Sequence, residues 1–169
     1  MKKIISIINQ KGGVGKTTTV INLSTALAQL GKKILVIDLD PQGNATTGLG
    51  RSNAENDNSI YKVIIGQTDL KNSIQKSCVK NVDIIGSNVN LSGLEVETAN
   101  DPNRAFLLKE ILTEKNKDFI DQYENIFIDC PPSLSLLTVM SLVVADELLV
   151  PLQTEFFALE GISQLLKTI

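Results

Sequence analysis

Residues 11–18 read Lys-Gly-Gly-Val-Gly-Lys-Thr-Thr, directly after a run of β-branched residues and directly before a helical repeat. Glycine at 12, 13 and 15 lets backbone N–H groups, that of Val14 included, converge on phosphate oxygens without side-chain obstruction. A helix beginning near Lys16 adds the positive end of its dipole. Lys16 then reaches the β and γ phosphates as a point charge, Thr17 is placed to ligate magnesium, and Thr18 can hydrogen-bond the α phosphate. Thr19 is expected to face away. A glycine-rich run alone is often only a tight turn, but the strand before it, the helix after it and the Lys-Thr pair make a phosphate site the reading here. One feature is unusual: the general pattern GxxxxGK[ST] has glycine where this chain has Gln10, and Lys11 adds a second lysine to the loop.

Carboxylates close two other apolar runs. Asp38 and Asp40 follow Ile34-Leu35-Val36-Ile37, where a carboxylate can orient an attacking water or a magnesium-bound water. Asp40 is the expected hydrolytic residue, although Asp-Pro-Gln-Gly also reads as turn chemistry and the two roles can coexist. Asp129 ends Ile126-Phe127-Ile128 and occupies the Walker B position, holding magnesium directly or through a water. The expected metal set is thus Thr17 and Asp129, with Asp38 or Asp40 reaching the ion through water.

These groups need strands to carry them. Lys3 to Asn9 is apolar on both faces, as a central parallel strand requires, and Lys16 to Leu30 places Val20, Leu23, Leu27 and Leu30 on one helical face stopped by Gly31. Lys33 to Asp38 is a second buried-type strand, so the first forty residues read as a β-α-β unit with a parallel pair. Gln42 to Asn58, rich in Gly, Asn, Ser and Thr, reads as a surface loop. Short helices are expected over Ile60 to Ser77, a strand at Val82 to Ile85, and helices near Leu91 to Thr98 and Arg104 to Glu114. Asn125 to Asp129 is a strand, Ser133 is placed to cap a helix through Ser141 to Ala145, Glu147 to Val150 is a strand, and Ala158 to Ile169 is helical. Alternating strands and helices predict an α/β fold with a doubly wound, mostly parallel sheet, in one domain over residues 1–169 that is incomplete at its C-terminal end.

Composition narrows the chemistry. The chain has 169 residues, no His and no Trp, so imidazole acid–base catalysis is excluded. A formal net charge of -3 lacks the basic footprint of a complete nucleic-acid surface, and Lys71, Lys76 and Lys80 read as a solvated face. Cys78 and Cys130 have no zinc spacing and read as free thiols. The apolar run after Lys2 and Lys3 is interrupted at Asn9, too early for a signal peptide, and no stretch approaches the roughly 18 apolar residues of a membrane span.

With Lys11 to Thr17 matching KGGxGK[ST], the sequence resembles the ParA/MinD group of ATPases with a deviant, signature-lysine Walker A motif. Asp38-Leu39-Asp40-Pro41-Gln42-Gly43-Asn44-Ala45-Thr46 resembles its ParA/Soj branch, Asp129-Cys130-Pro131-Pro132-Ser133 also resembles the family, and Glu155 to Gly161 resembles the segment that follows the Walker B region in ParA-like chains. The resemblance implies a P-loop NTPase fold, ATP and Mg2+ as ligands, and a weak ATPase in the full-length protein. It implies Lys11, Lys16 and Asp40 as catalytic residues, with Lys11 acting across a nucleotide sandwich homodimer. It further implies non-specific DNA binding mainly through residues absent here, a ParB-type centromere-binding partner, and a cytoplasmic location that becomes nucleoid-associated with ATP. The alternatives are a MinD-like membrane switch, a non-hydrolysing nucleotide-dependent scaffold, and an enzyme coupling ATP to a second substrate.

Overall fold

The computed structural model describes residues 2–52 and 58–154. The expected features over Glu155 to Gly161 and Ala158 to Ile169 lie outside these residues, as does the part of the expected loop at 53–57. The order of elements is β1 (Lys3–Ile7), α1 (Lys16–Gln29), β2 (Ile34–Asp38), α2 (Asn44–Gly48), α3 (Ile60–Ile64), α4 (Leu70–Ser73), β3 (Gln75–Lys76), β4 (Val82–Ile85), α5 (Leu94–Glu97), α6 (Leu107–Lys109), α7 (Lys117–Ile120), β5 (Asn125–Asp129), α8 (Leu136–Val144) and β6 (Glu147–Leu149). Short 3-10 turns at Val89–Gly93 and Arg104–Phe106 and a π turn at Glu110–Lys115 join the helices of the second half. The helix expected over Arg104 to Glu114 is thus broken into 3-10, α and π turns.

The strands form one six-stranded sheet in the order β3-β4-β2-β5-β1-β6, parallel except for the two-residue edge strand β3, which runs against β4. The α/β, mostly parallel reading holds. The parallel pair implied for the first forty residues does not form, because β5 lies between β1 and β2 and pairs with both. Local pattern sets a strand's direction, but neighbours are chosen by the whole sheet: Ile126, Phe127 and Ile128 are fully buried and suit the central slot.

Alternating side chains divide the core. Ile34, Val36 and Phe127 face α1 and α2 with Ile7 and Val20, whereas Leu35, Ile37, Ile126 and Ile128 pack with Leu108, Leu112, Leu137 and Met140 on the other side. The face that α1 buries is Val20, Ser24 and Ala28, with Leu23 and Leu27 at its margin. Leu30, expected on that face, is 77% exposed at the helix end, where Gly31 takes φ 86°. Small residues bring the helix close to the sheet, so a count of large apolar residues picks the wrong edge of the face. Ser24 Oγ is satisfied by the Ile21 carbonyl at 3.0 Å.

Two other expectations are corrected. Within the stretch read as a loop, residues 44–48 form α2, with Ala45, Thr46 and Leu49 buried. Asn-Ala-Thr-Thr-Gly is a poor helix sequence; the turn is anchored from β2, as described below. Ser135, not Ser133, precedes α8, while the Ser133 carbonyl accepts from the Thr138 hydroxyl. At the far edge, Asp83 is buried on β4 and accepts from Tyr123 Oη at 2.8 Å and from Lys76 Nζ at 2.9 and 3.0 Å. Lys71 lies over the Phe119 ring.

Candidate phosphate and metal site

The sheet register aligns the strand ends that carry the chemistry. Ile7, Asp38 and Asp129 stand in one row at the carboxyl ends of β1, β2 and β5. The chain then leaves β1 into the glycine loop beside two buried carboxylates.

The loop is held at both flanks. Ile8 N–H donates to the Leu149 carbonyl at 3.1 Å, Asn9 Nδ2 to the Pro151 carbonyl at 2.8 Å, and Lys11 N–H to Asn9 Oδ1 at 2.9 Å. Gln153 Nε2 donates to the Gly13 carbonyl at 3.1 Å. Gly13 and Gly15 take φ of 73° and 90°, the left-handed region that a Cβ disfavours. A Cβ built at Gly12, Gly13 or Gly15 would meet nothing within 4 Å. The glycines are therefore needed for backbone conformation and for close approach from outside, not for packing. Val14 turns its side chain into the protein, leaving its backbone to the loop.

A pocket of about 370 Å³ opens on the loop. Gly12, Gly13, Gly15, Lys16, Thr17 and Thr18 line it together with Asp40, Gln42, Asn44 and Pro132. Lys16 is buried and donates from Nζ to the Lys11 carbonyl at 3.1 Å. Burial pushes its ammonium below the ordinary lysine value, while Asp129 and Asp40 pull it back. Lys11 itself is exposed and outside the pocket walls. Thr19 Oγ1 donates to the Gly15 carbonyl at 2.7 Å and so contributes to the helix start.

Thr17 Oγ1 donates to Asp129 Oδ2 at 2.7 Å, across the gap between α1 and β5. Asp129 is fully buried, and its Oδ1 accepts no hydrogen bond among the described residues. Burial pushes this carboxyl up to about 7, with Asp38 beside it adding repulsion and the Thr17 hydroxyl opposing. Such a carboxylate, short of positive charge and one donor away from the pocket, fits a magnesium site. The donor set is hydroxyl and carboxylate oxygen, the hard ligands that Mg2+ selects, and that ion is commonly held by one or two carboxylates together with substrate phosphates and water. Thr17 would be the direct ligand, and Asp129, beneath it, would hold Thr17 and ion-bound water.

Asp38 and Asp40 have separate duties. Asp40 lines the pocket, and its Oδ1 accepts the Gln42 N–H at 2.9 Å, so turn chemistry and pocket position coexist. Asp38 does not line the pocket: Oδ1 accepts the Asp40 N–H at 3.1 Å, and Oδ2 accepts the Thr46 N–H at 2.8 Å and hydroxyl at 2.7 Å. Burial pushes Asp38 up to about 6, opposed by the Thr46 donors. Sequence reasoning assigned no contact to Gln42, Asn44, Pro132 or Thr46; the Asp-Pro-Gln-Gly-Asn run was the available signal for the first two. Cys130 is buried, donates to Ser141 Oγ at 3.1 Å, and has its thiol pushed up to about 12 by burial, the state of an inert thiol. Among the described residues no helix is long and apolar enough to cross a membrane.

Comparison with known proteins agrees with this geometry. The family described as an AAA domain matches residues 2–169. The sporulation initiation inhibitor protein Soj of Bacillus subtilis (strain 168) is 45% identical over 169 residues, covering 100% of this chain and 65% of that protein. The chromosome partitioning protein ParA of Caulobacter vibrioides (strain NA1000 / CB15N) is 44% identical over 167 residues, covering 99% of this chain and 62% of that protein. The chain thus spans a little under two thirds of the length of these relatives. Among solved structures, cobyrinic acid a,c-diamide synthase from Mycobacterium smegmatis, with bound ADP and magnesium, superposes with a TM-score of 0.92 at 35% identity, covering 100% of this chain and 67% of that one. With the glycine loop, the paired strand-end carboxylates and a match along its whole length, the chain belongs to the AAA-domain family and is similar throughout to the Soj and ParA proteins named above.

Proposed function

We propose that the protein carrying this chain is a magnesium-dependent ATPase that segregates DNA, binding ATP to form a sandwich dimer on non-specific DNA and hydrolysing it to reset. The observation that carries the reading is the 2.7 Å bond from Thr17 Oγ1 to Asp129 Oδ2 beneath the glycine loop, with Asp40 lining the pocket on that loop. Glycine-loop amides and Lys16 hold the triphosphate, and Thr17 and Asp129 hold magnesium, which when bound neutralises phosphate charge. Asp40 orients the water that attacks the γ phosphorus as the bond to the bridging oxygen breaks and ADP leaves. Lys11, exposed and outside its own pocket, reaches the phosphates of a second subunit. The reading extends to a ParB-type centromere-binding partner, non-specific DNA as the track, and nucleoid association in the ATP state, and it is in keeping with relatives named for chromosome partitioning.

Turnover of the whole protein, measured with and without duplex DNA and partner, tests this for wild type, Lys11→Ala, Lys16→Ala and Asp40→Ala. Slow hydrolysis stimulated by DNA and partner, and lost in all three variants, is the expected result. DNA affinity should fall steeply with salt and hardly vary with sequence. Tight ATP binding without any response to DNA would favour a membrane switch or a scaffold. A requirement for a second small substrate would favour a synthetase.

A further inference from the structure

Thr46 stands outside the pocket and is tied to it only through Asp38. It is fully buried on α2, and its hydroxyl is used twice, donating to Asp38 Oδ2 at 2.7 Å and accepting the Ser87 N–H at 3.0 Å. Its own N–H donates to the same Asp38 oxygen at 2.8 Å. The other Asp38 oxygen accepts the Asp40 N–H at 3.1 Å, and Asp40 Oδ1 accepts the Gln42 N–H at 2.9 Å. A continuous line of bonds therefore runs from the segment after β4, through Thr46 and Asp38, to the backbone that sets the Asp40 carboxylate. Residues 38 to 46 are closed into a loop by Asp38 itself, and the pocket-lining Asp40, Gln42 and Asn44 ride on it. The phosphate-binding glycines belong to a different segment with different anchors.

Only a hydroxyl satisfies both neighbours at this point. It must donate to a carboxylate while accepting from an amide, in a site from which water is excluded, where an unpaired polar group is costly. Valine has the same shape and offers neither function; serine offers both.

We propose that Thr46 is a positioning residue for ATP hydrolysis: acting through Asp38, it fixes the Asp40 carboxylate against the nucleotide without taking part in nucleotide binding. This rests on the ATPase reading above. A reacting group displaced by about 1 Å loses on the order of a hundredfold in rate, whereas binding that depends on the separate glycine loop should not change.

The test is steady-state ATPase kinetics of the whole protein as wild type, Thr46→Val and Thr46→Ser, with equilibrium binding of a fluorescent ATP analogue with magnesium and thermal melting of each. Thr46→Val should lose roughly ten- to a hundredfold in kcat, with KM and analogue Kd within about twofold of wild type, and Thr46→Ser should restore most of kcat. Thr46→Ala removes the hydroxyl by a second route should valine prevent folding. A Thr46→Val kcat equal to wild type overturns the proposal, as do equal losses in valine and serine variants or a loss of analogue binding that parallels kcat. A wild type with no turnover under any condition overturns the ATPase reading itself, and this proposal with it.

Discussion

Asp129 links stability to function in opposite directions, and Asp129→Asn should expose the conflict. In the folded chain this carboxyl is held up to about 7 from an ordinary 3.8. Between those values the folded state keeps a proton that the unfolded state releases, so by linkage stability falls as pH rises through the window and the full penalty stands above about 7. Holding the carboxyl at about 7 in place of 3.8 corresponds to something on the order of 4 kcal/mol, mostly from burial, with repulsion from Asp38 adding to it. Asparagine cannot ionise and escapes that penalty. Its amide would occupy the place of an oxygen that has no donor partner among the described residues, which costs about 1–3 kcal/mol at any pH.

The net effect therefore reverses sign with pH. In metal-free protein treated with EDTA, Asp129→Asn should be more stable than wild type by about 1–3 kcal/mol at pH 8, which is roughly 2–10 °C in Tm for a domain of this size. At pH 4, close to the unfolded value, where little of that penalty remains, the variant should be equal or less stable. Adding magnesium and ATP should raise the wild-type Tm more than the variant's, because the variant keeps the glycine loop and Lys16 but lacks the carboxylate on the magnesium side. Differential scanning calorimetry at the two pH values is sufficient. A variant that is less stable than wild type by the same margin at both would refute the assignment of Asp129 as a carboxylate destabilised by burial and relieved by a cation.

Gly15→Ala should fold with a loss of about 1–2 kcal/mol from its φ of 90°, and should bind an ATP analogue far more weakly in titration; unchanged binding would detach the loop from phosphate. Tyr123→Phe removes the hydroxyl bonded to buried Asp83 and should lower stability by about 1.5–3 kcal/mol in urea unfolding, with analogue binding unaffected. Ser24→Leu should destabilise by about 1–3 kcal/mol through overpacking of α1 on the sheet, whereas Leu30→Ser should lie within about 0.5 kcal/mol of wild type; the reverse order would restore the face expected from periodicity alone.

Much of the site was legible because its carriers are short, fully apolar and closed by unmistakable residues. The strands Val82–Ile85 and Asn125–Asp129 occur where their β-branched runs place them, and Asp129 falls at a strand end for the same reason. The features that escaped depend on partners far along the chain. The turn at Asn44–Gly48 has weak helical propensity and is ordered by Asp38 and Ser87, neither visible in a local window. Ser24 and Ala28 face the sheet because they are small, which a search for large apolar residues passes over. The two-residue strand Gln75–Lys76 is too short to carry a period at all.

The position of β5 constrains how the molecule can be made. β1 and β2 are synthesised within the first forty residues, yet the slot between them is filled by residues 125–129. At about 5–20 residues per second, a ribosome takes roughly 5 to 20 s to go from the end of β2 to the end of β5. Through that interval the strand that pairs with both β1 and β2 in the finished sheet is missing. The glycine loop can exist then, but its magnesium-side carboxylate cannot, so ATP with its metal cannot template the early stages of folding. Insertion of the central strand therefore couples completion of the sheet to completion of the metal side of the site.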